Sequence, residues 1–193
     1  MELENLDAIV SEDNVLFFDL DGTLVDTDYA NFLSYKKAVE FVTKSDCNIV
    51  YNPDQRFNRT ALKNVIPNLT ETELLAIISE KEKYYSDFLP ETKLNEGIAK
   101  FLYQYSTTNK IILVTNCRED RALVTLEYHK LTDKFSQFFF RRFGENDEKI
   151  NKFHNAISSL DISPKLVIAF ENEEEEIADA KKAGIQNINL LNL

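Results

Sequence analysis

Glycine and proline are scarce, four of each in 193 residues. Low-complexity coil needs far more of both, so the chain is expected to fold as one medium domain or as a core with an insertion. Long apolar runs are missing too. None approaches the roughly 20 residues required to cross a bilayer. The opening stretch Met1-Glu2-Leu3-Glu4-Asn5-Leu6-Asp7 has neither the basic nor the apolar part of a signal peptide, and a soluble, cytoplasmic protein is expected. Cysteine is limited to Cys47 and Cys117, which lie in different segments without metal-like spacing and read as free thiols. Histidine is limited to His129 and His154, both in helical patterns with no third partner nearby, so neither reads as a ligand. Positive charge is in deficit. A net charge of −11 repels polyanions and argues against nucleic acid or anionic membrane as the main partner. A small anionic substrate is compatible, provided a metal and a local lysine or arginine reverse the field at its site. What the chain does have is a 44% apolar share rich in Phe and Tyr, enough for a real core.

One stretch organises the rest. Residues 15–18 are an apolar run suited to a strand buried on both faces, and it stops abruptly at Asp19-Leu20-Asp21-Gly22. Alternation puts Asp19 and Asp21 on one side if the strand continues. Two crowded carboxylates repel, and the usual remedy is a cation or a shared proton. An ordinary strand followed by an Asp-Gly turn is the plainer account of the same residues.

After this stretch the pattern turns helical. Helices are expected over 28–44, near 59–66 and over 71–88. A capping box of Thr70 with Glu73 opens the third, and Pro90 closes it. From residue 94 onward, helices near 96–106, 119–131, 147–160 and 173–183 alternate with apolar strands at 111–114, 135–141, 166–170 and 185–191. Gly184 ends the last helix as a left-handed cap. Such alternation implies an α/β fold with a doubly wound, parallel, Rossmann-like sheet. Ligands bind such sheets at the carboxyl ends of the strands. Here those ends carry Asp19 and Asp21, Thr115 and Asn116, the region 141–149, and Glu171 with Asn172. Acids, a hydroxyl and a candidate lysine therefore converge on one rim.

These strand ends resemble the haloacid dehalogenase superfamily over almost the whole chain. The first motif is the run from Asp19 to Thr27, and the second is Val114-Thr115-Asn116. The helical insertion is similar to the family's small helical cap, which implies a core of 1–24 and 93–193 and a cap of 25–92. In the fourth motif Glu171 stands where most members have glycine, Asn172 where they have the first aspartate, and Glu176 where they have the second. The β-phosphoglucomutase branch has Glu-Asp there. The Lys-Pro pair of the third motif is absent. Ungapped spacing puts Asp147 at the lysine's place, Lys149 is placed ahead, and Lys152 follows it.

The resemblance implies a Mg²⁺-dependent phosphatase acting on a small phosphorylated metabolite through an aspartyl-phosphate. Asp19 would be the nucleophile and Asp21 the acid and base. Thr115 and Lys149 would stabilise the transferring group, helped by the main-chain amides of Leu20 and Asn116. Mg²⁺ would rest on Asp19, the Asp21 carbonyl, Glu171 and Asn172. Arg59 in the cap and Arg118 at the entrance are candidates for meeting the rest of the substrate, with the cap choosing it. A phosphomutase of the β-phosphoglucomutase type is an alternative, placed lower because Asn31 stands where such mutases carry a cap histidine. A non-catalytic protein that binds a phosphate ligand is the other, kept open by Asn172 and the missing Lys-Pro. Substrate, pathway and oligomeric state are not legible.

Overall fold

The computed structural model describes residues 10–45, 48–145 and 148–190. Cys47, Asp147, the acidic opening stretch and residue 191 of the expected last strand lie outside them. The chain divides into two compact units, Met1–Val25 with Leu94–Leu193, and Asp26–Lys93.

The first unit is a five-stranded parallel sheet. Its strands are β1 (Val15–Phe18), β4 (Lys110–Val114), β5 (Gln137–Phe139), β6 (Val167–Glu171) and β7 (Asn187–Leu190), in the spatial order β5-β4-β1-β6-β7. β1 is central. Phe17 and Phe18 are both fully buried, on opposite faces, because side chains alternate along a strand. Leu16, Phe18, Ile111, Leu113, Ile168 and Phe170 form one face. It is covered by α4 (Glu96–Tyr105) and α5 (Glu119–Tyr128) through Ile98, Phe101, Leu102, Ala122 and Leu126. The other face carries Phe17, Ile112, Val114 and Ala169. It is covered by α6 (Lys152–Leu160) and α7 (Glu174–Lys182) through Phe153, Ala156 and Ala180. Helices on both faces make the sheet doubly wound. Phe18 stacks on Phe170 at 4.5 Å between centroids, so the middle of the sheet is aromatic as well as aliphatic.

The second unit is helical, with α1 (Asp28–Thr43), α2 (Arg59–Val65) and α3 (Glu71–Tyr84). Its core contains Phe32, Tyr35, Val39, Phe57, Leu62, Leu74 and Ile77. Asn58 caps α2 by accepting from the Thr60 and Ala61 amides, and Thr70 with Glu73 forms the expected capping box on α3. Asn31 is buried and donates to the Phe57 carbonyl at 2.7 Å.

Four differences from the sequence pattern stand out. β2 (Val25–Asp26) and β3 (Lys93–Leu94) form a two-stranded sheet, too short to leave a periodic signal. α3 ends at Tyr84 and tightens into a 3₁₀ segment, Tyr85–Glu91, which tolerates Pro90. β5 spans three residues, not the seven expected over 135–141. α6 begins at Lys152, not near 147, because Asn151 caps it by accepting from the Phe153 and His154 amides. Upstream of that cap, Phe143 and Lys149 form an antiparallel bridge. Lys149 is therefore on a loop ladder and not on the helix.

Candidate active site

The register of the sheet decides which acids meet. Phe18 lies opposite Phe170, so Asp19 and Glu171 follow side by side at the ends of adjacent strands, and the Asp19 amide donates to the Phe170 carbonyl at 3.2 Å. Alternation turns Asp19 to the same face as Phe17, the face covered by α6 and α7. From the first residue of α6, Lys152 reaches in, with Nζ 2.8 Å from Asp19 Oδ1 and also bonded to Glu171 Oε1. Glu176 Oε2 is 3.5 Å from the same ammonium. Lys152 is thus the lysine that meets Asp19, not Lys149. Lys149 instead pairs with Glu176 Oε1 at 2.5 Å, and Asn116 Nδ2 donates to both Glu176 oxygens at 2.9 and 2.8 Å. The side-chain oxygen of Asn116 is buried without a partner among the described residues.

Burial drives the electrostatics. It pushes the Asp19 carboxyl up, and nearby Asp21 adds to that, while Lys152 and a hydrogen bond from Thr115 pull it down; the result stays above the ordinary carboxylate range. Glu171 is fully buried. Burial and Asp19 push it up to about 8 against the pull of Lys152. Burial lowers Lys152, but Asp19, Glu171 and Glu176 more than reverse this and its ammonium is held above the usual value. Glu176 also feels burial, yet Lys152, Lys149 and Asn116 bring it below its ordinary value.

Asp21 does not share the face of Asp19. The strand stops at Phe18, and the Leu20 carbonyl accepts from the amides of Thr23, Leu24 and Val25 in a tight turn. Gly22 is required there. Its φ is +83°, and a Cβ would lie 2.2 Å from the Asn172 side-chain nitrogen. The turn carries Asp21 to Arg121 on α5, in the layer opposite Lys152, where Arg121 Nη2 donates to Asp21 Oδ2. Arg121 Nε also donates to Cys117 Sγ at 2.9 Å. Arg121 is absent from the sequence reading. Its one trace there is the spacing of four from Cys117, which sets the two a turn apart at the head of a helix.

Thr115 is buried, and its Oγ1 accepts from the Cys117 amide at 3.1 Å. Leu20 packs in the core. Arg118 is exposed and paired with Asp120 at 2.9 Å, and Arg59 is the exposed first residue of α2 in the second unit. Asn172 Oδ1 accepts from Thr23 Oγ1 at 3.1 Å. Cys117 is 3% exposed, and burial with Asp21 pushes its thiol up to about 12. Iodoacetamide at pH 8 should therefore leave Cys117 unmodified in the folded chain and alkylate it in denaturant. Peptide mass spectrometry reads both states, and labelling of the folded chain would show the rim to be open.

The donors suit a hard divalent cation. Asp19, Glu171, the Asp21 carbonyl and the Asn172 amide oxygen are all oxygens. Lys152 and Lys149 face three acids, Asp19, Glu171 and Glu176, so the acids outnumber the ammonium groups. Among the described residues no three His, Cys, Asp or Glu side chains gather as ligands. An ion here would rest on two carboxylates and neutral oxygens.

A doubly wound sheet with acids and a hydroxyl at the carboxyl ends of its central strands, met by a buried lysine from a covering helix, defines an α/β enzyme of the strand-end type. The chain belongs to the haloacid dehalogenase-like hydrolase family, whose model matches residues 16–190. It is 26% identical over 188 residues to a phosphorylated carbohydrates phosphatase of Thermotoga maritima, covering 90% of this chain and 82% of that protein. Its fold is similar to that of CbbY from Rhodobacter sphaeroides in complex with phosphate, with a TM-score of 0.73, 14% identity, and 92% and 86% of the two chains covered. A haloacid dehalogenase-like family hydrolase from Streptococcus pneumoniae gives a TM-score of 0.69 at 19% identity, with 92% and 84% covered. Among the described residues no helix is long and apolar enough to cross a membrane.

Proposed function

We propose that the chain is a magnesium-dependent phosphatase that hydrolyses a small phosphomonoester through an aspartyl-phosphate on Asp19. The observation that carries this reading is the placing of two aspartates, two residues apart, on separate cations: Asp19 on Lys152 and Asp21 on Arg121. On separate cations the two carboxylates can take different roles, one as nucleophile and one as acid and base. The Thermotoga phosphatase and the phosphate complex of CbbY support a phosphorylated substrate. The net charge of −11 favours a small ligand over a polyanion.

In the first step an oxygen of the Asp19 carboxylate forms a bond to phosphorus while the ester P–O bond breaks. The leaving oxygen keeps the electron pair and takes the proton of the Asp21 carboxyl. In the second step water gives a proton to the Asp21 carboxylate and its oxygen attacks phosphorus. The P–O bond to Asp19 then breaks, releasing phosphate and restoring the carboxylate. Lys152 keeps Asp19 oriented, and the Thr115 hydroxyl stands beside it to donate to the transferring group. Asp19, the Asp21 carbonyl, Glu171 and Asn172 would hold Mg²⁺, which supplies charge neutralisation at the phosphoryl oxygens. Asn31 is engaged with the Phe57 carbonyl, so nothing at that position favours phosphoryl transfer between sugars.

Release of phosphate from p-nitrophenyl phosphate, lost in EDTA and restored by magnesium, is the test. No turnover by folded protein over a broad panel of phosphomonoesters would end this reading. Asn172→Asp should lower the magnesium concentration for half-maximal rate by about tenfold, since it adds one charged oxygen to a set otherwise short of them. An unchanged or higher requirement would remove Asn172 from the ion's site.

A further inference from the structure

Arg121 has no part in the chemistry written above, yet its Nη2 donates to the Asp21 carboxylate. The Arg121 and Asp21 side chains are 13% and 8% exposed, so solvent screens the pair far less than a surface bridge. The guanidinium is held at a second point, where its Nε donates to Cys117 Sγ at 2.9 Å. Cys117 is itself hydrogen-bonded to Asp21 and is buried. The backbone that carries it is also fixed: Thr125 Oγ1 donates to the Arg121 carbonyl at 2.8 Å, and the neighbouring Ala122 and Leu126 lie in the core. Asp120, the acid nearest in sequence, is taken by Arg118 through two hydrogen bonds of 3.1 and 2.9 Å.

A planar guanidinium anchored on a packed helix defines direction as well as charge. Asp19 and Thr115 lie on the phosphoryl side of the chemistry. Arg121 meets the rim at Asp21, and Asp21 acts on the leaving oxygen and on water.

We propose that Arg121, with Cys117 as its backstop, is the positioning residue for Asp21: it fixes the direction in which the acid/base presents its carboxyl and leaves phosphoryl binding to the other residues of the rim. This rests on the phosphatase reading above. The consequence is selective. A poor leaving group needs the proton of Asp21 as the ester bond breaks, whereas p-nitrophenolate leaves almost unaided. A residue that merely holds the fold together affects both kinds of ester alike.

The full chain, assayed with magnesium on p-nitrophenyl phosphate and on an alkyl ester such as glycerol 2-phosphate, tests this. Arg121→Met should lower kcat on the alkyl ester about 100-fold and on the aryl ester by less than about tenfold, with KM for both within about twofold. Arg121→Lys, which keeps the charge and loses the fork, should fall between Arg121→Met and the natural chain in the ratio of the two rates. Equal losses on both esters, or a rise in KM at constant kcat, would overturn the proposal while leaving the phosphatase reading intact. A natural chain that turns over no member of a broad phosphomonoester panel overturns both. Circular dichroism and thermal melting establish that each variant folds. If Arg121→Met does not, Arg121→Lys decides alone: a shifted alkyl-to-aryl ratio is expected, and an unchanged one overturns the proposal.

Discussion

Asp19→Asn is expected to abolish phosphate release, with a loss on the order of 10⁴-fold or more, as for removal of other covalent nucleophiles. The change preserves shape and removes only the attacking charge. Lys152 keeps Glu171 and Glu176 as partners, so the ammonium is not stranded. The melting temperature should accordingly move by only a few degrees, and an inactive but folded variant is the expected result. Retained turnover on p-nitrophenyl phosphate would show that the phosphoryl group never passes through Asp19. A collapse of the fold would show instead that the Asp19–Lys152 contact is chiefly structural.

The second large effect belongs to Lys152. Its ammonium is almost fully buried and lies among three acids, so Lys152→Met removes the cation that lets Asp19 and Glu171 coexist at adjacent strand ends. Breaking a buried ion pair from one side costs about 3–5 kcal/mol, because the other charge stays behind in a poor solvent. Part of that cost would be avoided by protonation of Glu171, whose carboxyl is already pushed up to about 8. Turnover should fall with stability. Lys149→Met makes the contrast: its side chain is 39% exposed and its partner Glu176 keeps Asn116 and Lys152, so a loss of at most about 1 kcal/mol is expected. Urea unfolding midpoints and turnover, measured on both variants, rank the two lysines. The reverse order would mean that Lys149 is the residue serving Asp19.

That ranking marks a boundary of sequence reasoning. Spacing along the chain offered Lys149 and Lys152 as near equals, because both fall in a stretch whose helical pattern begins ambiguously. Three residues apart in the sequence, they end in different kinds of structure. Lys149 is held by its bridge to Phe143, and Lys152 heads a helix whose cap is Asn151. Which one points inward follows from where the cap falls, and an Asn in a polar stretch is one cap candidate among several. The early start expected for α6, near residue 147, is the same error seen from the helix side.

Arg121 was hidden for another reason. An arginine two residues after an acid, in the first turn of a helix, has the signature of an exposed ion pair, and Arg118 is such a case with Asp120. Nothing local distinguishes the two. Arg121 becomes part of the rim because α5 is packed against the sheet by Ala122 and Leu126, which turns the preceding residue toward the end of β1.

The residues themselves determined the class of fold, since buried runs alternating with helices have few compact arrangements other than a doubly wound parallel sheet. They also determined that acids would collect at the strand ends. The tertiary structure alone decided how those acids are divided. Alternation suggested one shared side for Asp19 and Asp21, but that holds only while a strand continues. β1 stops at Phe18, Gly22 takes a positive φ, and the turn sends Asp19 to the layer of α6 and Asp21 to the layer of α5. The two like charges stay close enough for Asp21 to raise the Asp19 carboxyl, but each is held by a cation from a different layer.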